Sequence, residues 1–248
     1  MEFKVRQTLF VFIFIVLPTT GFAQKGIEDG SKYGHGDDSI HCIKHLSIYR
    51  EFAKHQDYND ALHSWRLVFN ECPRSTQNIY IDGAKMYNDF IELAEDNPAR
   101  QDALIDTLMM IYDQRIKYFK QKGSVLGRKG VDLMRYRRED PEKLEESYGY
   151  LKESVTILGN KSSAPIIATF MLACYGLYEK EMISNMQVIE DYSMVSDIID
   201  YQLAEQPDDA DMSKVKEYVD LNFIASGAPT CESLITYFKG KYDEKKEE

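Results

Sequence analysis

Residues 42–73 read CIKHLSIYREFAKHQDYNDALHSWRLVFNECP, and this stretch decides the fold. Its apolar residues recur at steps of three and four. Ile43, Leu46, Tyr49 and Phe52 form one stripe, and Leu62, Trp65, Val68 and Phe69 form the next. That period belongs to an amphipathic helix, since a strand facing one core would alternate with period two. Pro73 lacks an amide hydrogen and restricts the residue before it, so the second helix must stop there. The gap between the stripes is too short for anything but a tight turn, which makes the two helices antiparallel neighbours. Ala61 lets their backbones approach, and Trp65 and Phe52 fill the seam beside it.

The same pattern extends outward. Breaks fall at residues 72–75, 97–98, 123–124, 140–141, 159–161, 206–207 and 227–229, each rich in Pro, Gly, Asn or Asp. The segments between them are helix length. Further helix pairs are therefore predicted over 77–119, turning at Asn97-Pro98, over 126–158, turning at Asp140-Pro141, over 164–204 and over 212–242. Strand signals are scarce, and the expected class is all-α.

The unit 42–73 resembles a tetratricopeptide (TPR) repeat, two helices in about 34 residues. Tyr58, Ala61, Trp65, Val68 and Pro73 match the second-helix pattern. The first helix departs from it: Tyr49 stands where a small residue is usual, and Gln56 where the turn glycine is usual. In the second pair Gly83 takes the small first-helix position. Residues 38–83, DSIHCIKHLSIYREFAKHQDYNDALHSWRLVFNECPRSTQNIYIDG, and 225–234, ASGAPTCESL, are similar to a family of secreted TPR proteins of Gram-negative bacteria. The resemblance implies antiparallel hairpins stacked as a TPR-like α-solenoid over 39–242. It implies no enzymatic activity. Because members usually continue with further repeats, it also implies a truncated or short member ending in a charged tail, 243–248. The unequal unit lengths fit a less regular α-solenoid equally well. Such an array exposes a concave wall made by its first helices. By TPR register Arg50, Tyr80, Ala84 and Tyr87 face that wall as partner contacts, the alternative being that the tyrosines pack between repeats.

The N-terminus, MEFKVRQTLFVFIFIVLPTTGFAQ, reads as a secretory signal. Lys4 and Arg6 precede an apolar run from Leu9 to Leu17, and Gly21-Phe22-Ala23 supplies small residues for cleavage after Ala23. The run is too short for a membrane span, which needs about 20 residues. A flexible segment over 24–38 follows. The expectation is an exported protein of the periplasm or cell surface with no span after cleavage. A formal net charge of -11 repels phosphate backbones and argues against nucleic acid as a partner. The cations at Arg128, Lys129, Arg135, Arg137 and Arg138 read as a solvated helix face.

Four cysteines in an exported protein permit disulfides. In a TPR-like hairpin the start of the first helix and the end of the second lie side by side, which predicts a Cys42–Cys72 bridge, the alternative being two free buried thiols. Cys174, among Met171, Leu172 and Tyr175, reads as a core thiol, and the pairing of Cys231 is left open.

The densest polar cluster is HGDDSIHCIKH, residues 35–45, in which His41 and His45 stand one helical turn apart with Cys42 beside them. That is metal-ligand spacing, against which stands the plainer reading of a capped helix start at Asp37, Asp38 or Ser39. Residues 123–130, GSVLGRKG, lack the ending of a phosphate loop and read as a loop entering a helix. Asp208, Asp209 and Asp211 read as an acidic helix start before Met212. The favoured function is a non-catalytic scaffold for a protein or peptide partner, without cofactor or metal. A metal-dependent or metal-binding protein using His41, Cys42 and His45 is the rival. The exposed apolar residues of the last helix add possible self-association.

Overall fold

The computed structural model describes residues 30–247. Among them are ten α-helices and no strand: α1 Asp37–Lys54, α2 Tyr58–Glu71, α3 Asn78–Glu92, α4 Pro98–Phe119, α5 Lys122–Arg137, α6 Pro141–Leu158, α7 Ala164–Glu179, α8 Asn185–Glu205, α9 Ala210–Ala225 and α10 Cys231–Glu247. A short 3-10 turn, Gly159–Lys161, joins α6 to α7. Four of the five expected pairs appear, with the turns expected at 97–98 and 140–141; the last, over 212–242, forms two helices, but the second of them packs on α8 rather than back on α9. Helix α1 packs on α2, α3 on α4, α5 on α6 and α7 on α8, while each of α3, α5, α7 and α9 also packs on the helix before it. Helix α7 touches both α5 and α9, and α10 rests on α8. The segment expected to be a signal, with its expected cleavage after Ala23, lies outside the described residues. Helix α1 begins before residue 39, and the charged residues after 242 continue α10.

The turn residues act as helix starts. Asn97 Oδ1 accepts from the Arg100 amide at 3.1 Å, and Asp140 Oδ1 accepts from the Glu142 amide at 3.0 Å, each with proline at the first helical position. Asp209 Oδ1 accepts from Met212 at 2.9 Å, so the acidic run is a cap. Helices α2, α3, α5 and α7 start without a side-chain cap, and so does α1. Gly36 takes the cap position with φ 56°, and Asp37 and Asp38 fall in the first turn, where carboxylates favour the positive end of the helix dipole.

Two hydrophobic clusters meet at α5. One is built on Leu46, Trp65, Tyr80, Phe90 and Leu108, the other on Leu151, Phe170, Cys174, Val195 and Phe223. The approach of α3 to α2 depends on Gly83: a Cβ there would stand 2.5 Å from Trp65 Cζ2. Tyr49, at the position where a small residue is usual, is instead fully buried in the α1–α2 seam.

Residues 123–130 are helix and not loop. In α5 glycine allows α6 to press close. A Cβ on Gly130 would meet Leu151 Cγ at 2.5 Å, while the buried Ser147 and Ser154 hydroxyls donate to the Gly130 and Gly123 carbonyls, each at 2.8 Å. A glycine in a helix signals a turn only when no neighbour needs the space its side group would fill.

The predicted disulfide is present. Cys42 and Cys72 are joined with their Cα atoms 6.3 Å apart, within the span such a bond allows. It ties the second turn of α1 to the residue that closes α2. Cys174 is buried and Cys231 exposed, both as free thiols. No helix among the described residues is long and apolar enough to cross a membrane.

Candidate functional site

A groove of about 820 Å³ runs between α3 and α5. Ile81, Ala84, Lys85 and Asn88 form one wall, and Ser124, Arg128, Val131 and Arg135 form the other. Tyr112 and Arg115 of α4 lie at its floor, Gln56 and Tyr58 close one end, and Lys161, Ser163 and Ile166 close the other. A second hollow of about 460 Å³, with Arg50, Lys54 and Asp82, shares Gln56, Tyr58 and Lys85 with it, so the two form one continuous trough.

The floor is held by one buried and two half-buried hydrogen bonds. Tyr112 Oη donates to Asp132 Oδ2 at 2.6 Å, and Asn88 Nδ2 donates to the same oxygen at 3.3 Å. Tyr136 Oη in turn donates to Asn88 Oδ1 at 2.6 Å. Burial, followed by the Asp132 charge, pushes the Tyr112 hydroxyl far above the usual phenol range, so it stays a donor. One network thereby links α3, α4 and α5, and fixes the distance between the groove walls.

The lining is cationic although the protein is acidic. Lys85, Arg115, Arg128, Arg135 and Lys161 face Asp89, Glu92 and Asp132, and Asp132 is taken up by its own hydrogen bonds. Burial, with the charge of Arg128, lowers the pKa of Arg115. A second buried cation, Lys129, is paired with Asp113 at 2.5 Å, and its ammonium lies 4.2 Å from the Tyr150 ring centre. Arg137 pairs with Asp102 at 2.8 Å. The basic cluster is therefore divided. Arg128 and Arg135 are exposed along the groove, Lys129 is internal, and Arg138 is exposed away from it.

Of the four residues assigned to a concave wall, two reach the trough and two do not. Ala84 lines the groove and Arg50 lines the adjoining hollow. Tyr80 and Tyr87 are 0% and 3% exposed. Tyr80 packs against Phe69 and Phe119 and donates to the Pro73 carbonyl at 2.8 Å, and Tyr87 packs against Trp65 and Phe90. They pack inward because α3 has only Gly83 facing Trp65, and the rings on either side occupy the seam. Sequence reasoning missed Arg115. Its available signal was a lone cation in the apolar stripe Leu108, Ile111, Tyr112, Arg115.

The histidine cluster has a different character. His41 and His45 rings are 4.4 Å apart, with His63 6.2 Å beyond His45. His45 Nδ1 lies 3.1 Å from Ser64 Oγ, and His41 Nδ1 3.5 Å from Glu71. Burial, then the charges of His41, Lys44 and His63, lower the His45 pKa. Cys42 is a disulfide sulfur and supplies no thiolate. Among the described residues no three His, Cys, Asp or Glu residues converge as a metal-ligand set. Cys174 donates to the buried Asp191 carboxylate at 3.6 Å, and burial together with that carboxylate pushes its thiol far up, opposite to what a nucleophile needs.

No family model matches the protein, and neither does any curated protein or solved structure.

Proposed function

We propose that this protein is a non-catalytic scaffold of TPR-like α-solenoid type that holds a protein or peptide partner in the trough along α3 and α5. One observation carries the reading. The trough is lined by α3 and α5, the first helices of two successive hairpins, is open to solvent, and has its walls fixed by a hydrogen-bond network that is buried at Tyr112 and Asp132. Ligand sites of this kind use a preformed concavity with a few fixed polar groups. The bridge between Cys42 and Cys72 suits an oxidising compartment, which supports export to the periplasm or cell surface after removal of residues 1–23. N-terminal sequencing of the natural protein is expected to begin at Gln24.

The test is comparative capture from an envelope extract. Lys85 and Arg128 are exposed on opposite walls, so Lys85→Glu with Arg128→Glu changes the trough and leaves the core alone. The expected result is a set of proteins retained by the wild type and absent from the double variant. Identical retention by both would overturn the reading.

The last helix gives a second contact surface. Ile235, Phe238 and Tyr242 are 56%, 64% and 61% exposed on one stripe of α10. The proposal extends to self-association through that stripe. Sedimentation is expected to show concentration-dependent dimers that Phe238→Asp abolishes, and a monomer at all concentrations would refute it.

A further inference from the structure

The floor of the groove contains a cation that the fold leaves without a counter-charge. Arg115 is 7% exposed and lines the cavity. Its Nη2 donates to the neutral Gln121 Oε1 at 2.8 Å, and its Nε has no acceptor. No carboxylate among the described residues stands within ion-pair distance of it. A buried guanidinium loses hydration and recovers it only through a paired anion with good geometry. The protein follows that rule elsewhere: Lys129, also buried, has Asp113. At Arg115 the neighbour is instead another cation. Arg128, one helix away on α5, lies close enough to depress its pKa, and Lys161 lines the same cavity.

We propose that Arg115 and Arg128 together hold a carboxylate of a peptide lying in the groove, with Lys161 at the edge of the same pocket. This inference rests on the scaffold reading and names the chemistry that its partner must present. The guanidinium fork matches a carboxylate with paired hydrogen bonds. A monoanion fits better than a phosphate dianion, because Asp89, Glu92 and Asp132 line the same cavity and repel the second charge. Ile81, Val131 and Ile166 beside the cations provide apolar contact for the flanking peptide. Either an acidic residue of the peptide or its free C-terminus presents the required group.

The test uses the full exported protein, isotopically labelled so that each arginine Nε–Hε gives its own NMR signal. Four probes are titrated: N-acetylglutamate amide for the acidic-residue carboxylate, N-acetyl-alanyl-alanine for the terminal one, N-acetylglutamine amide as the neutral control, and inorganic phosphate. The expected result is saturable movement of the Arg115 and Arg128 signals with at least one carboxylate probe and none with the glutamine probe. Whichever carboxylate binds more tightly identifies its source. Arg128→Gln, at an exposed position, is expected to weaken that binding by about tenfold or more. Unchanged Trp65 fluorescence would show that this variant is folded. Movement with phosphate alone, equal response to glutamate and glutamine probes, or no movement at all would overturn the proposal. If the carboxylate probes fail while trough-dependent capture persists, the scaffold reading stands without this inference. Failure of both experiments removes both.

Discussion

Replacing Gly83 with alanine tests how tightly α2 and α3 pack. The new methyl would meet Trp65 Cζ2 at 2.5 Å, Cε2 at 2.9 Å and Nε1 at 3.0 Å. These atoms belong to a rigid indole that is 1% exposed, stacked on Phe69, and anchored by its Nε1 donating to the Ile79 carbonyl at 2.7 Å. Either the ring or α3 must move. Overpacking of this kind costs about 1–3 kcal/mol, and the strained indole hydrogen bond adds about 1 kcal/mol. Against this, alanine gains about 1 kcal/mol over glycine in a helix. The net expectation is a loss of about 1–3 kcal/mol, a drop in Tm of about 2–12 °C for a protein of this size. Trp65 is the only tryptophan, so its emission reports on the seam directly and is expected to shift along with stability. Gly149→Ala is the matched control. It lies within α6 with nothing within 4 Å of the added Cβ, and is expected to stabilise by about 1 kcal/mol. A Gly83→Ala protein as stable as the wild type, with unmoved emission, would refute the close-approach argument.

Reducing the Cys42–Cys72 bridge, which spans 30 positions, is expected to cost about 3–4 kcal/mol in the chain-entropy model, read as a fall in melting temperature with dithiothreitol that the Cys42→Ser, Cys72→Ser double variant does not show. Gln56, in the turn two residues after α1, has φ 63°, a left-handed conformation that costs a non-glycine residue about 1–2 kcal/mol. Gln56→Gly, offset by the entropy of glycine, is therefore expected to raise stability by on the order of 0.5–1 kcal/mol in urea titration. The folded-state pKa of His45 is lowered by burial and its cationic neighbours, so the unfolded state takes up that proton first and stability falls as pH drops below about 6.5. Melting curves from pH 7.5 to 5.5 are expected to show a fall that His45→Gln reduces, and an identical pH profile for this variant would contradict the assignment.

Much of the fold was legible because its signals are local. Prolines and their preceding Asn or Asp start α4 and α6, the apolar period places each helix, and the bridge follows from which helix ends meet. The glycines of α5 were misread, since their purpose is set by α6, which a local pattern does not contain. Gln56 shows the opposite case: it departs from the expected glycine, yet the backbone still takes the glycine-like conformation there. The trough was half legible. Register placed Arg50 and Ala84 on it, but a helix carries two usable faces, and Tyr80 and Tyr87 turned to the one that Gly83 opens. Arg115 escaped notice because burial of a cation depends on what surrounds it in three dimensions.

The Cys42–Cys72 bond also sets how this molecule behaves under mechanical load. A series of packed helix pairs drawn apart from its two ends lengthens as successive pairs let go, each releasing its extended length. The bridge closes off the stretch between its two sulfurs, 30 positions in all, so roughly 100 Å of extension at about 3.3–3.6 Å per residue is withheld. In the oxidised state the tension passes through the two sulfurs and bypasses α2 with most of α1, so Trp65 is loaded only through its contacts with α3.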